Sequence, residues 1–495
     1  MEENILIDEI TEGVRVVKNS ALVMLFQVVG RIFGILTTAL IARSLSKANF
    51  GIFSLFLTII GFMALASTLG LDQLTVREVA RFRDAGDKVL AAAVATKLVI
   101  SALLIVASVF VGFLADWSPE KLATFLILAT TILFGGLINS LSSYLYGFEK
   151  LAHGSIITAS QSFFILGFSL FALHFWIGQL VPFSTAYAAG VATSSIIAML
   201  WVMPKLLEGF KQLDRQFVFS LIKQALPFLG LAFSLFAYYK VNILVLAKLK
   251  GPEAVGIYSA SFRVIESLLF LPAALTGALF PTASRLAATS SGLLEKTHTQ
   301  ILRILAIIGI PGTTVLFLLS DKIIILLYGA KWQASVLPLR VMAWAWGLIF
   351  LNCTVPVILN AANKAKITLK VVIAGVSSNV ILCLFLIPRY GVLGASIATV
   401  ATEVLNTFLF FQMIKKHVYR IRFFSFFGRI FFASLLMGCG LIIARQWIAN
   451  IWSLVIIAMS AYSVLLLLVK ALRPEDGELL REALIAVLGR SRMRA

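Results

Sequence analysis

Two similar stretches of sequence decide the fold of this chain. They are IARSLSKANFGIFS, residues 41–54, and LAKLKGPEAVGIYS, residues 246–259. They align without a gap at an offset of 205 residues, which pairs Gly51 with Gly256. Each copy lies between two long apolar stretches, as a short turn between two membrane-spanning helices would. The chain is therefore predicted to contain an internal duplication.

The composition indicates an all-α polytopic membrane protein. Of its 495 residues, 60% are hydrophobic and 13% are charged, whereas a soluble protein carries about a quarter charged residues. A span needs about 20 apolar residues, and about fourteen segments satisfy this requirement. The predicted spans are 19–42, 49–71, 90–114, 121–147, 156–177, 183–204, 225–248, 256–280, 301–319, 335–360, 367–387, 391–414, 425–444 and 450–470.

The position of the repeat among these spans predicts the domain organisation. Its copies fall between the first and second spans and between the seventh and eighth, so the repeating unit is six spans. We expect two six-helix lobes, related by a pseudo-twofold axis along the membrane normal, that move around a central site. The predicted segments are a cytoplasmic N-terminal segment (1–18), an N-terminal lobe (19–204), a cytoplasmic linker (205–224), a C-terminal lobe (225–414), two extra transmembrane helices (415–472) and a cytoplasmic amphipathic tail (473–495).

The distribution of Lys and Arg predicts the orientation. With the N-terminus in the cytoplasm, 28 of the 42 basic residues lie in cytoplasmic segments, 10 lie outside and four lie within spans. This bias predicts a cytoplasmic (inner) membrane protein with both termini in the cytoplasm. The basic loops are short and separated by apolar spans, so the net charge of +19 indicates contact with anionic lipid rather than nucleic acid.

Charged residues inside the spans are the candidate site residues, because a charge in the hydrocarbon costs at least about 2.5–3.5 kcal/mol. Arg263 and Glu266 lie three residues apart in SFRVIESLLFLP (261–272) and can pair on one helix face. The pair is either a structural brace or a switch. As a switch, Arg263 grips an anionic headgroup, and Glu266 releases it or takes up a proton.

The other cations within spans are also predicted to bind a headgroup anion. The predicted anion-binding set is Arg31, Lys97, Lys240 and Arg263. Arg31 has no acid on its own helix face, which favours binding. Lys97 has an alternative: it lies about 10 Å into its span and can extend back to the cytoplasmic surface.

Acidic and polar residues complete the candidate site. Glu266, Glu403 and Asp72 are the predicted ion-coupling or switch residues, and Gln27, Thr58 and Asn406 are predicted to line a polar cavity. Helix packing is the alternative for the polar members. His298 is placed in a cytoplasmic loop without a role. No catalytic constellation, metal site or cofactor is predicted.

A family resemblance rests on three stretches. They are LIARSLSKANFGIFSL…GLDQLTVREVAR (40–81), ALPFLGLAF…VNILVLAKLKGPEAVGIYSASFRVIESLLFLPAALTGALFPTASRL (225–286) and LNAANKAKITLKVVIAGVSSNVILCLFLIPRYGVLGASIATVATEV (359–404). In these the chain resembles the polysaccharide exporter and oligosaccharide flippase family of the multidrug/oligosaccharidyl-lipid/polysaccharide exporter superfamily. The resemblance implies two six-helix lobes, often with two added helices, and alternating access. It also implies a polyprenyl-linked sugar as cargo, moved from the cytoplasmic to the outer leaflet.

The resemblance also bears on individual residues. Related lipid II flippases carry an essential Arg and a nearby acid in the eighth span, at the spacing of Arg263 and Glu266, and an Arg in the first span that Arg31 resembles. Their further arginines have no clear counterpart here, which argues against lipid II as cargo. Multidrug antiporters of the superfamily rely on buried acids in the first lobe. Here that lobe has Arg31 and Lys97, with Asp72 only at a span end, which argues against a cationic drug.

The sequence thus favours a flippase, not an enzyme, that moves a polyprenyl-(pyro)phosphate-linked oligosaccharide for polysaccharide or glycan assembly. One alternative is an organic-cation antiporter of the same fold. The other is a membrane polymerase or ligase acting on lipid-linked sugars, which would need a larger outer loop than this chain has. The predicted partners are the lipid-linked oligosaccharide, membrane lipids and glycan assembly enzymes, and the chain is expected to function as a monomer.

Overall fold

The computed structural model describes residues 2–419, 424–469 and 471. These residues form helices and connecting turns, with no β-strand among them. The helices are α1 (Glu2–Ser44), α2 (Lys47–Thr68), α3 (Leu71–Arg81), α4 (Gly86–Leu114), α5 (Pro119–Gly147), α6 (Leu151–Phe175), α7 (Leu180–Lys211), α8 (Arg215–Leu268), α9 (Phe270–Thr289), α10 (Ser291–Leu318), α11 (Ser320–Tyr328), α12 (Val336–Asn352), α13 (Thr354–Ala361), α14 (Ala365–His417), α15 (Phe424–Trp447) and α16 (Ile451–Leu468). The predicted amphipathic tail, 473–495, lies outside the described residues.

The helices confirm a polytopic membrane protein. Within the described residues, 12 helical segments are long and apolar enough to cross a bilayer. Two of them, Ala232–Ala273 and Ala365–His417, are much longer than one crossing needs. Each is broken at a glycine with non-helical backbone angles, Gly251 in the first and Gly391 in the second. Each broken segment therefore supplies two spans, which agrees with the predicted count of about fourteen.

The first break of each repeat falls at the equivalent residue. Ser46, between α1 and α2, is extended (φ −65°, ψ 161°), and its side chain accepts a hydrogen bond from the Asn49 N–H. Gly251, 205 residues later, has φ 80° and ψ −176°. Pro252 follows it, and a proline disfavours helical angles in the preceding residue. The two copies of the repeat thus use different residues to break the helix at one shared position.

The described chain packs as two compact units, one ending at Ala237 and the other beginning at Tyr238. Residues 225–237, which the sequence assigned to the second lobe, pack with the first unit here. The Phe236 ring, for example, lies 4.8 Å from that of Phe62. The predicted lobe boundaries remain predictions.

Small residues bring the helices of the first unit close together. A Cβ added at Gly30 of α1 would lie 3.5 Å from the Ala159 backbone of α6. One added at Gly190 of α7 would lie 2.5 Å from the Ile165 backbone of α6. Helices in lipid associate through such close contacts, since there is no hydrophobic force between them.

The two extra helices, α15 and α16, pack within the second unit. Met437 of α15 and Leu454 of α16 share a buried cluster with Leu302 of α10. Near the end of α15, Arg445 Nη2 donates to Asp321 Oδ2 over 2.9 Å. Helices α15 and α16 therefore form part of the second unit's core.

Candidate binding and coupling site in the second unit

Arg263, Glu266 and Lys240 form an ion triad. Arg263 Nη1 donates to Glu266 Oε2 over 3.0 Å, and Lys240 Nζ donates to Glu266 Oε1 over 2.8 Å. The pairing of Arg263 with Glu266 is the one that their spacing predicts. When all three groups are ionised, two cations share one carboxylate, so the triad carries one positive charge in excess.

The break at Gly251 assembles this triad. Lys240 precedes the break within α8, and Arg263 and Glu266 follow it. The chain reverses at the break, which brings side chains from both halves together. Lys240 Nζ also lies 5.2 Å from the centre of the Phe262 ring, within the range of a cation–π contact. The Arg263 side chain is 38% exposed, more than that of Lys240 or Glu266.

Glu403 lies buried in a second cluster of the same unit. Its residue exposure is only 3%. The Tyr238 hydroxyl donates to Oε1, and Asn352 Nδ2 donates to Oε2 over 3.1 Å. Asn406, which was predicted to line a polar cavity, donates to the Tyr238 hydroxyl over 2.8 Å. The predicted coupling acid is thus buried, with both carboxylate oxygens hydrogen-bonded.

A separate polar network lies in the same unit. Asn242 Nδ2 donates to the Tyr258 hydroxyl over 2.9 Å and to Thr399 Oγ1 over 2.8 Å. Cys383 Sγ donates to Asn242 Oδ1 over 3.2 Å. Glu403 also lines a small cavity with room for water. The other residues around it are Tyr238, Tyr239, Asn242, Phe262, Ile265, Leu269, Met342, Ala345, Ile349, Asn379, Thr399 and Thr402.

Sequence reasoning found Glu403 and Asn406 but missed most of their partners. Tyr238 and Asn242 are four residues apart on α8, so they share a helix face. Asn379 and Cys383 have the same spacing on α14. That spacing would have revealed two polar faces. It would not have shown that the faces meet.

The first unit pairs two residues for which the sequence predicted separate roles. Lys97 is 1% exposed, and its Nζ donates to Asp72 Oδ1 and to the Gly136 carbonyl oxygen. Lys97 therefore does not extend back to the membrane surface. An ion pair this buried neutralises both charges. Anion binding by Lys97 stays a prediction, and it would require the pair to open.

The other candidates of the first unit are more scattered. Arg31 and Gln27 are exposed on α1, while Gly30 and Phe33 of that helix contact α6. Thr58 is buried, and its hydroxyl donates to the Ser54 carbonyl oxygen over 2.8 Å. Such a bond within one helix satisfies the hydroxyl without any ligand.

Comparison with solved structures identifies the fold. The chain is similar to the lipid II flippase MurJ in an inward-closed conformation, with a TM-score of 0.71 and 16% identity over 89% of this chain and 98% of that one. It is also similar to an inward-facing multidrug resistance MATE family transporter, with a TM-score of 0.62 and 14% identity over 79% and 94% of the two chains. At these identities the likeness shows the fold alone.

Curated relatives come from bacteria and archaea. A putative O-antigen transporter of Shigella flexneri is 23% identical over 80% of this chain and 96% of its own length. The probable flippase AglR of Haloferax volcanii is 26% identical over 186 residues, and the match spans 37% of this chain and 39% of AglR. The probable low-salt glycan biosynthesis flippase Agl15 of the same organism is 19% identical over 87% and 91% of the two chains.

Fold and composition together define a multi-pass membrane protein of the fold shared by MurJ and MATE transporters. The profile of the family described as polysaccharide biosynthesis protein matches residues 16–287, and the MatE profile matches residues 227–385. The chain therefore belongs to the polysaccharide biosynthesis protein family, within the multidrug/oligosaccharidyl-lipid/polysaccharide exporter superfamily.

Proposed function

We propose that this protein is a flippase for a polyprenyl-(pyro)phosphate-linked oligosaccharide. It moves the lipid from the cytoplasmic to the outer leaflet of the cytoplasmic membrane by alternating access, and it works as a monomer that supplies glycan assembly enzymes. The names of the relatives support a transporter of lipid-linked glycans. The ion triad of Lys240, Arg263 and Glu266 carries the proposal for this chain.

The charge of the triad suits a phosphorylated headgroup. Its excess positive charge attracts an anion and repels an organic cation, because Coulomb interactions strengthen as water is excluded. An Arg presents a planar set of donors that matches phosphate oxygens in a bidentate way. Arg263 is the exposed cation of the triad, so it is the residue that a headgroup reaches.

Glu266 supplies the release step. A carboxylate that already holds Arg263 competes with the phosphate for the same guanidinium. Binding then exchanges one ion pair for another, so Arg263 has an anionic partner both before and after the headgroup binds. Once the headgroup leaves, Glu266 takes Arg263 back. Lys240 remains on the other carboxylate oxygen and keeps Glu266 in place throughout.

Glu403 is the proposed coupling acid. It lies within a span with donors on both oxygens, and a water-sized cavity adjoins it. Binding and loss of a proton at this carboxyl would change what Tyr238 and Asn352 can donate to. An ion shifts a two-state equilibrium only by its different affinity for the two states. Such a change in hydrogen bonding is a source of that difference.

The experiment that tests the function is flipping by purified protein in lipid vesicles. The probe is a fluorescent polyprenyl-pyrophosphate disaccharide, and its exposure is read by a membrane-impermeant quencher. Arg263→Ala should lower the flipping rate at least about tenfold, since charge-assisted hydrogen bonds contribute about 1.5–3 kcal/mol each. Arg263→Lys should flip at a rate between those of the wild type and Arg263→Ala, because it keeps the charge and loses the bidentate geometry.

Controls separate this function from the alternatives. Arg389→Ala removes an exposed Arg of the same unit and should flip like the wild type. Ethidium uptake into the same vesicles tests the organic-cation antiporter, and product analysis of the disaccharide tests a polymerase or ligase. Full flipping by Arg263→Ala, at normal protein level, would remove the triad from headgroup binding.

A further inference from the structure

His298 is buried in a hydrogen-bonded chain that the proposed transport site does not use. Its ring is fully buried, contrary to its predicted place in a loop. Nε2 lies 2.8 Å from Thr354 Oγ1, and Nδ1 lies 2.7 Å from the Tyr419 hydroxyl. The three residues come from α10, from the start of α13 and from the segment after α14. One imidazole thus joins three elements of the second unit.

The Thr354 end of this chain sits at a helix break. The helical hydrogen-bond ladder is interrupted at Cys353, between α12 and α13, although the Cys353 backbone angles stay helical (φ −60°, ψ −23°). Pro356 explains the break, because it has no N–H to donate to the carbonyl four residues earlier, which belongs to Asn352. A break caused by a missing hydrogen bond is a place where two helical segments can change their angle.

The other side of the same break holds the coupling acid. Asn352 is the last residue of α12, and its Nδ2 donates to Glu403 Oε2 over 3.1 Å and to Thr407 Oγ1 over 3.0 Å. Asn352 and Thr354 are separated by one residue. A change at Glu403 therefore reaches the α12 side of the break directly, and His298 fixes the α13 side.

The α13 segment has a partner that can respond to it. Its Val355, Ile358 and Leu359 are fully buried, in a cluster with Leu279 of α9 and Leu294 of α10. α9 follows directly on the part of α8 that carries Arg263 and Glu266. A change of angle at the break would be passed through this packed face toward the triad's own helix.

We propose that His298 is a positioning residue for Glu403, acting through Thr354 on a joint between α12 and α13 centred on Cys353. His298 holds α13 at the angle at which Asn352 reaches Glu403. When Asn352 loses that carboxylate as a partner, the joint opens. This inference rests on the coupling role proposed for Glu403, but the joint itself can be tested without transport.

Cys353 is a natural reporter of the joint. With Cys383 replaced by Ser and Cys439 by Ala, the rate of maleimide labelling at Cys353 measures how often the break opens. Thr354→Val and His298→Asn should each raise this rate about tenfold, which corresponds to about 1.4 kcal/mol and to the loss of a buried hydrogen bond. His298→Gln carries an amide at the position of Nε2, so it should stay within about twofold of the parent protein.

A double-variant cycle separates positioning from general loosening. Glu403→Gln should raise the rate of Cys353 labelling in the parent protein, and this rise should shrink at least about fivefold when His298→Asn is present. Tyr419→Phe removes only one hydroxyl and gives a mild version if His298 variants express poorly. Independent effects of the two sites, or equal effects of Asn and Gln at position 298, would overturn the proposal. If the labelling rates follow the expected pattern but the wild-type protein does not flip the lipid-linked disaccharide, the result would count against the proposed flippase function and not against the joint.

Discussion

Lys240 Nζ donates a 2.8 Å hydrogen bond to Glu266 Oε1, although the two residues are 26 positions apart in the chain. The residues lie on opposite sides of the break at Gly251, one in each of the two helical halves of α8. The same carboxylate also accepts from Arg263. One acid thus fastens the two halves of α8 and sets the charge of the proposed headgroup site.

Removal of that acid should cost more stability than removal of Lys240. Glu266→Gln leaves Lys240 and Arg263 close together without their shared carboxylate, whereas Lys240→Gln leaves the pair of Arg263 and Glu266 intact. We expect Glu266→Gln to lower the unfolding temperature in detergent by more than Lys240→Gln does, because an unpaired buried charge is the costly state. An equal or larger loss with Lys240→Gln would show that the lysine is the structural member.

Glu403→Gln should abolish any effect of a proton gradient on flipping. Gln keeps the size and one acceptor oxygen of the side chain but cannot take up or lose a proton. Flipping rates are compared in vesicles with and without an imposed gradient, and Glu149→Gln, at an exposed acid, is the control. If the gradient response of Glu403→Gln matches that of the wild type, Glu403 has no part in coupling.

The buried pair of Lys97 and Asp72 should behave as a unit. Asp72→Asn leaves the buried ammonium without its counterion and should destabilise the protein by about 3–5 kcal/mol, whereas Asp72→Asn combined with Lys97→Met should recover much of this loss. Chemical unfolding of the two single variants and the double variant measures the difference. Glu149→Gln, which breaks the exposed pair with Arg83, should change stability by less than about 1 kcal/mol. A double variant no better than Asp72→Asn would contradict the pairing.

Gly251 should not tolerate a side chain. Its φ of 80° with ψ of −176° belongs to a region that only glycine adopts without strain. Gly251→Ala should therefore destabilise the protein by about 1–3 kcal/mol, by the usual cost of such strain. Gly230→Ala, in the same helix with open space around its Cα, should be neutral or stabilising. The unfolding temperatures of the two variants test this prediction. Equal unfolding temperatures would mean that position 251 accommodates an alanine without strain.

The predicted orientation can be tested at two exposed positions. Pro252 lies at the α8 break and Gln212 at the end of α7. In a background without native cysteines, a membrane-impermeant maleimide added from outside should label a cysteine at position 252 and not one at position 212. Since Lys250 Nζ donates to the Pro388 carbonyl oxygen over 2.9 Å, the breaks of α8 and α14 lie at one end of the unit. A cysteine at 390 should therefore label together with that at 252. The reverse pattern would invert the proposed direction of transport.

The sequence by itself determined the features that depend on local physics. Apolar length specifies the spans, because a bilayer demands about 20 residues of each. The repeat placed one turn within residues 41–54 and another within 246–259, and the structure breaks the helix there, at Ser46 and at Gly251. The three-residue spacing of Arg263 and Glu266 determined their pairing, because residues at that spacing are neighbours on any helix.

Only the tertiary structure decided which polar side chains meet across helices. Lys97 and Asp72 are 25 residues apart, and Tyr238 and Glu403 are 165 apart. Pairings of this kind depend on how each helix is rotated and how closely it packs, and close packing depends in turn on positions such as Gly136 beside Lys97. The sequence shows which face of a helix is polar. The packing of small residues between helices decides what that face contacts.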